Sequence, residues 1–147
     1  MKTVETDYTY FCYDQKDPEA CQKRADFMAT FRLDNKEAGA EYDRCCATYG
    51  TPGCCLNAAK FNMRQFMMAK KDNSLRGFDF EQFWAKMATA CNAPDYPRSK
   101  QQQDNRGQAC LEIYKARRNR ALKGRTHTQH GNITLYASST GIRKCLL

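Results

Sequence analysis

The chain has 147 residues, enough for one domain with a real hydrophobic core, and it reads as a single domain over residues 1–147. Its 24 Lys and Arg against 16 Asp and Glu leave a net charge of +8. No stretch approaches the roughly 20 apolar residues of a membrane span, which excludes a helical membrane protein. Nine cysteines, spread from Cys12 to Cys145, are far more than an ordinary cytosolic chain carries.

Thiols at this density are kept paired in oxidising compartments, and tetrahedral zinc sites need tight C-x-x-C pairs that are absent here. About four disulfides are therefore expected, with no metal and no cofactor. Met1 is followed by the polar Lys-Thr-Val-Glu-Thr-Asp and not by a signal-peptide apolar region, so the chain reads as the mature form of a secreted protein. Asn132-Ile133-Thr134 is an N-glycosylation acceptor triplet, consistent with an extracellular location.

Thr6 to Tyr13 is a run of aromatic and β-branched residues that predicts a first strand. Asp17-Pro18-Glu19 then supplies a cap, a proline for the first helical position and an acid near the positive helix end, predicting a helix near 18–32. Ala38, Tyr42, Cys45, Cys46 and Tyr49 share one helical face, and Gly50-Thr51-Pro52-Gly53 stops that helix. Leu56, Ala59, Met63, Phe66 and Met67 line a third helix, ended by Asp72-Asn73-Ser74. A fourth is capped by Asp79, with Gln82 at the capping-box position and Phe78 placed to staple onto Phe83. Its apolar face is Phe80, Phe83, Trp84, Met87, Ala88 and Cys91.

Asn92 to Gly107, with two prolines and three successive glutamines, reads as a long surface loop. Beyond it, Cys110 to Lys115 fits strand or helix, Ile133 to Tyr136 a strand, and Gly141 to Leu147 a strand that ends the sheet. The expected fold is α+β: a small antiparallel sheet of about four strands, one N-terminal and about three C-terminal, braced by about four helices and about four disulfides.

The disulfide candidates are Cys12, Cys21, Cys45, Cys46, Cys54, Cys55, Cys91, Cys110 and Cys145. Neighbouring helical residues point about 100° apart, so each member of the doublets Cys45-Cys46 and Cys54-Cys55 should reach its own partner. The doublets are expected to form a hub that ties two helices to each other and to the flanking strands. Cys12 and Cys145, near opposite chain ends, are expected to bridge to each other or to that hub.

Residues 1–93 carry 13 basic and 13 acidic side chains, whereas residues 94–147 carry 11 basic and 3 acidic, so the entire net charge lies in the last third. Its focus is Lys115, Arg117, Arg118, Arg120, Lys123 and Arg125, six cations in eleven residues. This run is the candidate patch for an anionic ligand such as phosphate, nucleic acid, acidic polysaccharide or a membrane surface. Without a partner it serves as a solvated loop or strand edge that keeps the chain soluble.

The only histidines are His127 and His130, both in Arg125-Thr-His-Thr-Gln-His-Gly. A small ribonuclease needs a base and an acid on opposite sides of a scissile phosphate, with a cation for its charge. Two histidines in one short segment do not readily flank a phosphate, which leaves a basic ribonuclease-like toxin as the second reading. No Gly-x-Ser-x-Gly elbow, phosphate loop or helical zinc motif occurs, and Cys45-Cys46 lacks the His-Asp that follows the cysteine doublet of secreted phospholipases. No catalytic residue is assigned, and the chain is expected not to be an enzyme.

A small, basic, cysteine-rich chain with aromatic strands and cysteine doublets resembles a secreted effector of a plant-pathogenic fungus. An early Cys12, helices carrying Cys21, Cys45, Cys46, Cys54, Cys55 and Cys91, and later Cys110 and Cys145 resemble the pattern of the Leptosphaeria avirulence and suppressing family. Its relatives include an extracellular protein of the tomato leaf mould fungus Cladosporium (Fulvia) fulvum. That resemblance implies a four-stranded antiparallel sheet, a monomer secreted into the host apoplast or taken into host cells, and binding to a host plant protein or immune receptor in place of catalysis. The Trp-Arg strand pair of some members has no counterpart, since the single tryptophan, Trp84, precedes Ala85, and no recognition residue is carried over.

Overall fold

Six helices build the molecule in the computed structural model, which describes residues 2–70, 74–94 and 99–128. In chain order they are α1 Lys2–Thr9, α2 Pro18–Phe27, α3 Asn35–Tyr49, α4 Pro52–Ala69, α5 Phe80–Cys91 and α6 Lys100–Thr128. α1 and α2 each run on into a π-helical turn, Tyr10–Asp14 and Met28–Arg32. Helix starts follow local chemistry. Asp17 accepts from the Glu19 N–H at 3.0 Å, Asp34 from the Glu37 N–H at 3.1 Å and Asp79 from the Gln82 N–H at 3.0 Å. The Phe78 and Phe83 rings lie 6.1 Å apart, the predicted staple at the entry to α5.

No strand occurs among the described residues, so the α+β expectation and its four-stranded sheet are corrected to an all-helical fold. Thr6 to Tyr13 belongs to α1 and its π-helical turn, with Tyr10, Phe11 and Tyr13 more than two-fifths exposed and only Cys12 buried. A β-prone run needs a partner strand to satisfy its backbone; without one, helical hydrogen bonding and docking onto α2 win. The supposed loop Asn92 to Gly107 is helical from Lys100 onward. Glutamine is a good helix former, and Ser99 caps the helix by accepting from the Gln102 N–H at 3.3 Å. Cys110 to Lys115 continues α6. The strands expected at Ile133 to Tyr136 and Gly141 to Leu147 lie outside the described residues.

The eight cysteines of the described residues pair as Cys12–Cys21, Cys45–Cys54, Cys46–Cys55 and Cys91–Cys110. Each doublet cysteine does reach a separate partner, but the doublets join only each other and no strand. Cys12 bonds to Cys21, nine residues away, and neither to the hub nor to Cys145, which lies outside the described residues. Gly50 makes the doublet pairing geometrically simple: at φ +63° it takes the left-handed conformation that ends α3, and its N–H reaches the Cys46 carbonyl at 2.8 Å. Pro52 then opens α4 at its first position, so the chain reverses within two residues and sets the doublets side by side.

α4 is the central helix, packed against α3, α5 and α6, while α2 lies against α1 and α3. Much of the buried core is alanine and half-cystine: Ala20, Ala25, Ala38, Ala58, Ala59, Ala90 and Ala109 sit among the eight cysteines, with Leu56, Phe61, Phe83, Met87 and Ile113 as the larger members. Small side chains let helices approach closely but bury little apolar area each, so cross-links carry a larger share of stability. Each nine-residue closure contributes about 2.5 kcal/mol in the chain-entropy model.

Where α2, α4 and α6 meet, two glutamines are buried. The Gln102 amide donates to Gln22 Oε1 at 3.0 Å, and its oxygen accepts from the Gly53 N–H at 2.9 Å. A Cβ on Gly53 would overlap the Gln22 carboxamide, lying 2.6 Å from its Cδ. Gly53→Ala is therefore expected to destabilise the protein by about 1–3 kcal/mol, because Gln22 cannot retreat without breaking its bond to Gln102. Gly107→Ala, mid-α6 with nothing within 4 Å of the added carbon, should instead stabilise by about 0.5–1 kcal/mol. Urea unfolding of the two disulfide-intact variants separates these outcomes.

Candidate functional site

Three arrangements of polar side chains stand out. The first centres on Glu41, whose side chain is only 3% exposed. Arg24 reaches its Oε2 at 3.0 Å and Arg44 its Oε1 at 2.5 Å, while the Tyr13 hydroxyl donates to Oε2 at 2.7 Å. The two guanidiniums also flank the Tyr13 ring, at 4.4 Å for Arg44 and 5.3 Å for Arg24. Arg44 Nη2 further approaches the sulfurs of the Cys12–Cys21 disulfide, at 2.9 and 3.3 Å.

Burial first, and the hydrogen bond to the Glu41 carboxylate second, push the Tyr13 phenol above its usual value. The Glu41 hydrogen bond holds the Arg44 proton still more firmly than usual. Cys12 Sγ, Cys21 Sγ and a Glu41 oxygen lie within 4.8 Å of one another, a spacing that suits a metal ion. The chemistry does not: both sulfurs are spent in one disulfide, and the carboxylate is already neutralised by two arginines. What this group does is lock the first π-helical turn onto α2 and α3.

The second arrangement joins α2 to α3 through the Tyr42 hydroxyl, which donates to Asp26. Burial raises the Asp26 carboxyl, an effect the Tyr42 bond partly offsets. Burial, and then that bond, push the Tyr42 phenol far above the usual range. In the third, Asp43 holds Lys86 of α5 at 2.8 Å and the Asn62 amide of α4 at 2.9 Å. Asp43 and Lys86 border an open cleft of about 670 Å³ between the end of α3 and α5, lined also by Thr48, Tyr49, Gln82 and Thr89.

The predicted basic patch is placed on a helix and not on a loop or strand edge. Lys115, Arg117, Arg118, Arg120, Lys123 and Arg125 all fall in the second half of α6. Ile113 is the last buried residue of the helix whose side chain is described; Lys115, Arg118 and Arg120 are exposed and Arg117 half-buried. His127 falls near the end of α6, while His130 and Asn132 lie outside the described residues. The Glu41 group was missed in sequence, although a signal existed: Glu41 sits between Ala38 and Cys45 on the apolar stripe of α3, where a carboxylate has to be paired.

With the geometry in view, comparison with protein-family models, curated proteins and solved structures finds no match to this chain.

Glu41→Ala leaves two guanidiniums facing each other at a largely buried site, and an expected loss of about 3–5 kcal/mol follows, measurable by chemical unfolding. Tyr42 gives a pH signature. Its folded-state pKa is raised above the unfolded value of about 10, so its contribution is full below pH ~10 and is lost as pH rises above that. In an absorbance titration of the native protein, Tyr42→Phe should leave the number of tyrosines ionising near pH 10 unchanged, while flattening the fall in stability above it.

Proposed function

We propose that the chain is a secreted, disulfide-stapled effector that acts by binding a host plant component, recognised by or masking recognition by immune receptors, and not by catalysis. The observation that carries the secreted half is the complete pairing of the eight described cysteines, each with a partner 9 or 19 residues away. Such a set of bonds persists only under oxidising conditions, such as the apoplast. No helix among the described residues is long and apolar enough to cross a membrane.

The binding half is supported by what the carboxylates at the helix joints are used for. Glu41, Asp26 and Asp43 are engaged in joints between helices, each held by a neighbour that fixes it in place. A catalytic carboxylate needs access to a substrate and a proton to give or take, and Glu41, 3% exposed and held by two arginines, is committed to architecture. The exposed cations of α6 remain as contact surface. The effector role draws on the cysteine-rich composition shared with the fungal class, including the Leptosphaeria avirulence and suppressing family, and not on a common sheet.

A non-reducing peptide map of chain secreted from a eukaryotic host, with RNA cleavage assayed on the same sample, tests this reading. Expected are the four bonds Cys12–Cys21, Cys45–Cys54, Cys46–Cys55 and Cys91–Cys110 and no cleavage. Mostly free thiols, or RNA cleavage lost in His127→Ala, would replace it with an intracellular protein or the ribonuclease-like toxin.

A further inference from the structure

Several cations elsewhere in the fold have internal partners: Arg24 and Arg44 hold Glu41, Arg32 holds Glu5, Lys60 reaches Glu112 and Lys86 holds Asp43. Lys115, Arg117, Arg118 and Arg120 are gathered within six residues of one helix, and none of them makes an ion pair or a hydrogen bond to a described residue. No Asp or Glu follows Glu112 in residues 113–147. The favourable pairing of cations with a helix C-terminus fades within one turn, and these four lie two or more turns before Thr128.

At 100° per residue, the six positions 115, 117, 118, 120, 123 and 125 spread around the whole circumference of α6. A helix that lies on a membrane needs an apolar face opposite its cations, and this segment has none that is continuous. A rod with cations on every side is matched instead by a partner that surrounds it with negative charge. A helix with its side chains is about 10–12 Å across, and the major groove of B-form DNA is about 12 Å wide with a phosphate wall on each side. The basic segment is about 15 Å long, a length that stays within one such groove. Four of its six cations are arginines, whose planar forks grip phosphate through two hydrogen bonds.

We propose, resting on the binding role above and naming its partner, that the second half of α6 docks in the major groove of double-stranded DNA through Lys115, Arg117, Arg118 and Arg120. The contact is with the phosphate backbone and is independent of base sequence. A-form RNA has a deep, narrow major groove that does not admit the helix, so duplex RNA binds more weakly.

The test is fluorescence anisotropy of the full, disulfide-intact chain with a mixed-sequence DNA duplex of about 20 base pairs at 50 and 200 mM salt, alongside duplex RNA of equal length, heparin and phosphatidylserine vesicles. Contact with four to six phosphates predicts that affinity for DNA falls about 10²–10³-fold between those salt concentrations. The triple variant Arg117→Ala, Arg118→Ala, Arg120→Ala should lose at least about tenfold in affinity and flatten the log–log salt slope by about 2 to 3. Its thermal midpoint should stay at or above that of the parent, because these side chains make no bond to a described residue and alanine favours helix. Unchanged DNA binding by that variant, a salt-independent affinity, or binding of heparin, duplex RNA or vesicles as tight as that of DNA overturns the proposal. A failure here with all four disulfides in place and RNA uncut leaves the secreted binding role standing with another partner; free thiols or RNA cleavage remove that role itself.

Discussion

Every disulfide among the described residues closes within one consecutive helix pair: α1 and its turn to α2, α3 to α4, and α5 to α6. Covalent bonds therefore make three stapled units, and the assembly of those units is left to non-covalent contacts. The Cys45–Cys54 and Cys46–Cys55 bonds close nearly the same loop. Once the first has formed, the second removes little further chain entropy, and its effect is to fix how α3 is turned against α4.

The joints between the stapled units are where paired polar groups collect. Glu41 with Arg24 and Tyr42 with Asp26 join the α1–α2 unit to α3; Asp43 with Lys86 joins α3 to α5; the Gln22–Gln102–Gly53 set joins α2, α4 and α6. A core rich in alanine and half-cystine can slide, because its surfaces are smooth and its apolar contacts non-directional. Hydrogen bonds and ion pairs with fixed geometry remove that freedom, since a displaced partner would leave a desolvated polar group unpaired.

Charge is used in two different ways along the same chain. In the first two-thirds, cations and anions are equal in number and several are spent against each other inside the fold. In α6 the acids stop at Glu112 while the cations continue, so the same type of side chain that is paired inside the body there adds to an external field. The helix that supplies Gln102, Ala109 and Ile113 to the core thus carries exposed cations on its other half.

Sequence alone determined what depends on neighbours along the chain. The caps at Asp17 and Asp79, the proline at the start of α2, the Phe78 staple, the stop at Gly50 and the apolar face of α3 are set by spacings of one to eight residues, and each was legible; on α5 Phe83, Met87 and Cys91 are buried as expected, but Phe80 is exposed. So were the number of disulfides, the separate partners within each doublet and the location of the cationic run. What only tertiary structure decided depends on groups far apart. Whether Thr6 to Tyr13 becomes strand or helix turns on whether a second strand exists to bond it, and none does among the described residues. Whether the glutamine run is loop or helix turns on Gln102 finding Gln22, eighty residues away, and Gly53. The Glu41 site needs Tyr13, Arg24 and Arg44 from three separate stretches, and only folding reveals that a carboxylate on an apolar stripe has two arginines waiting for it.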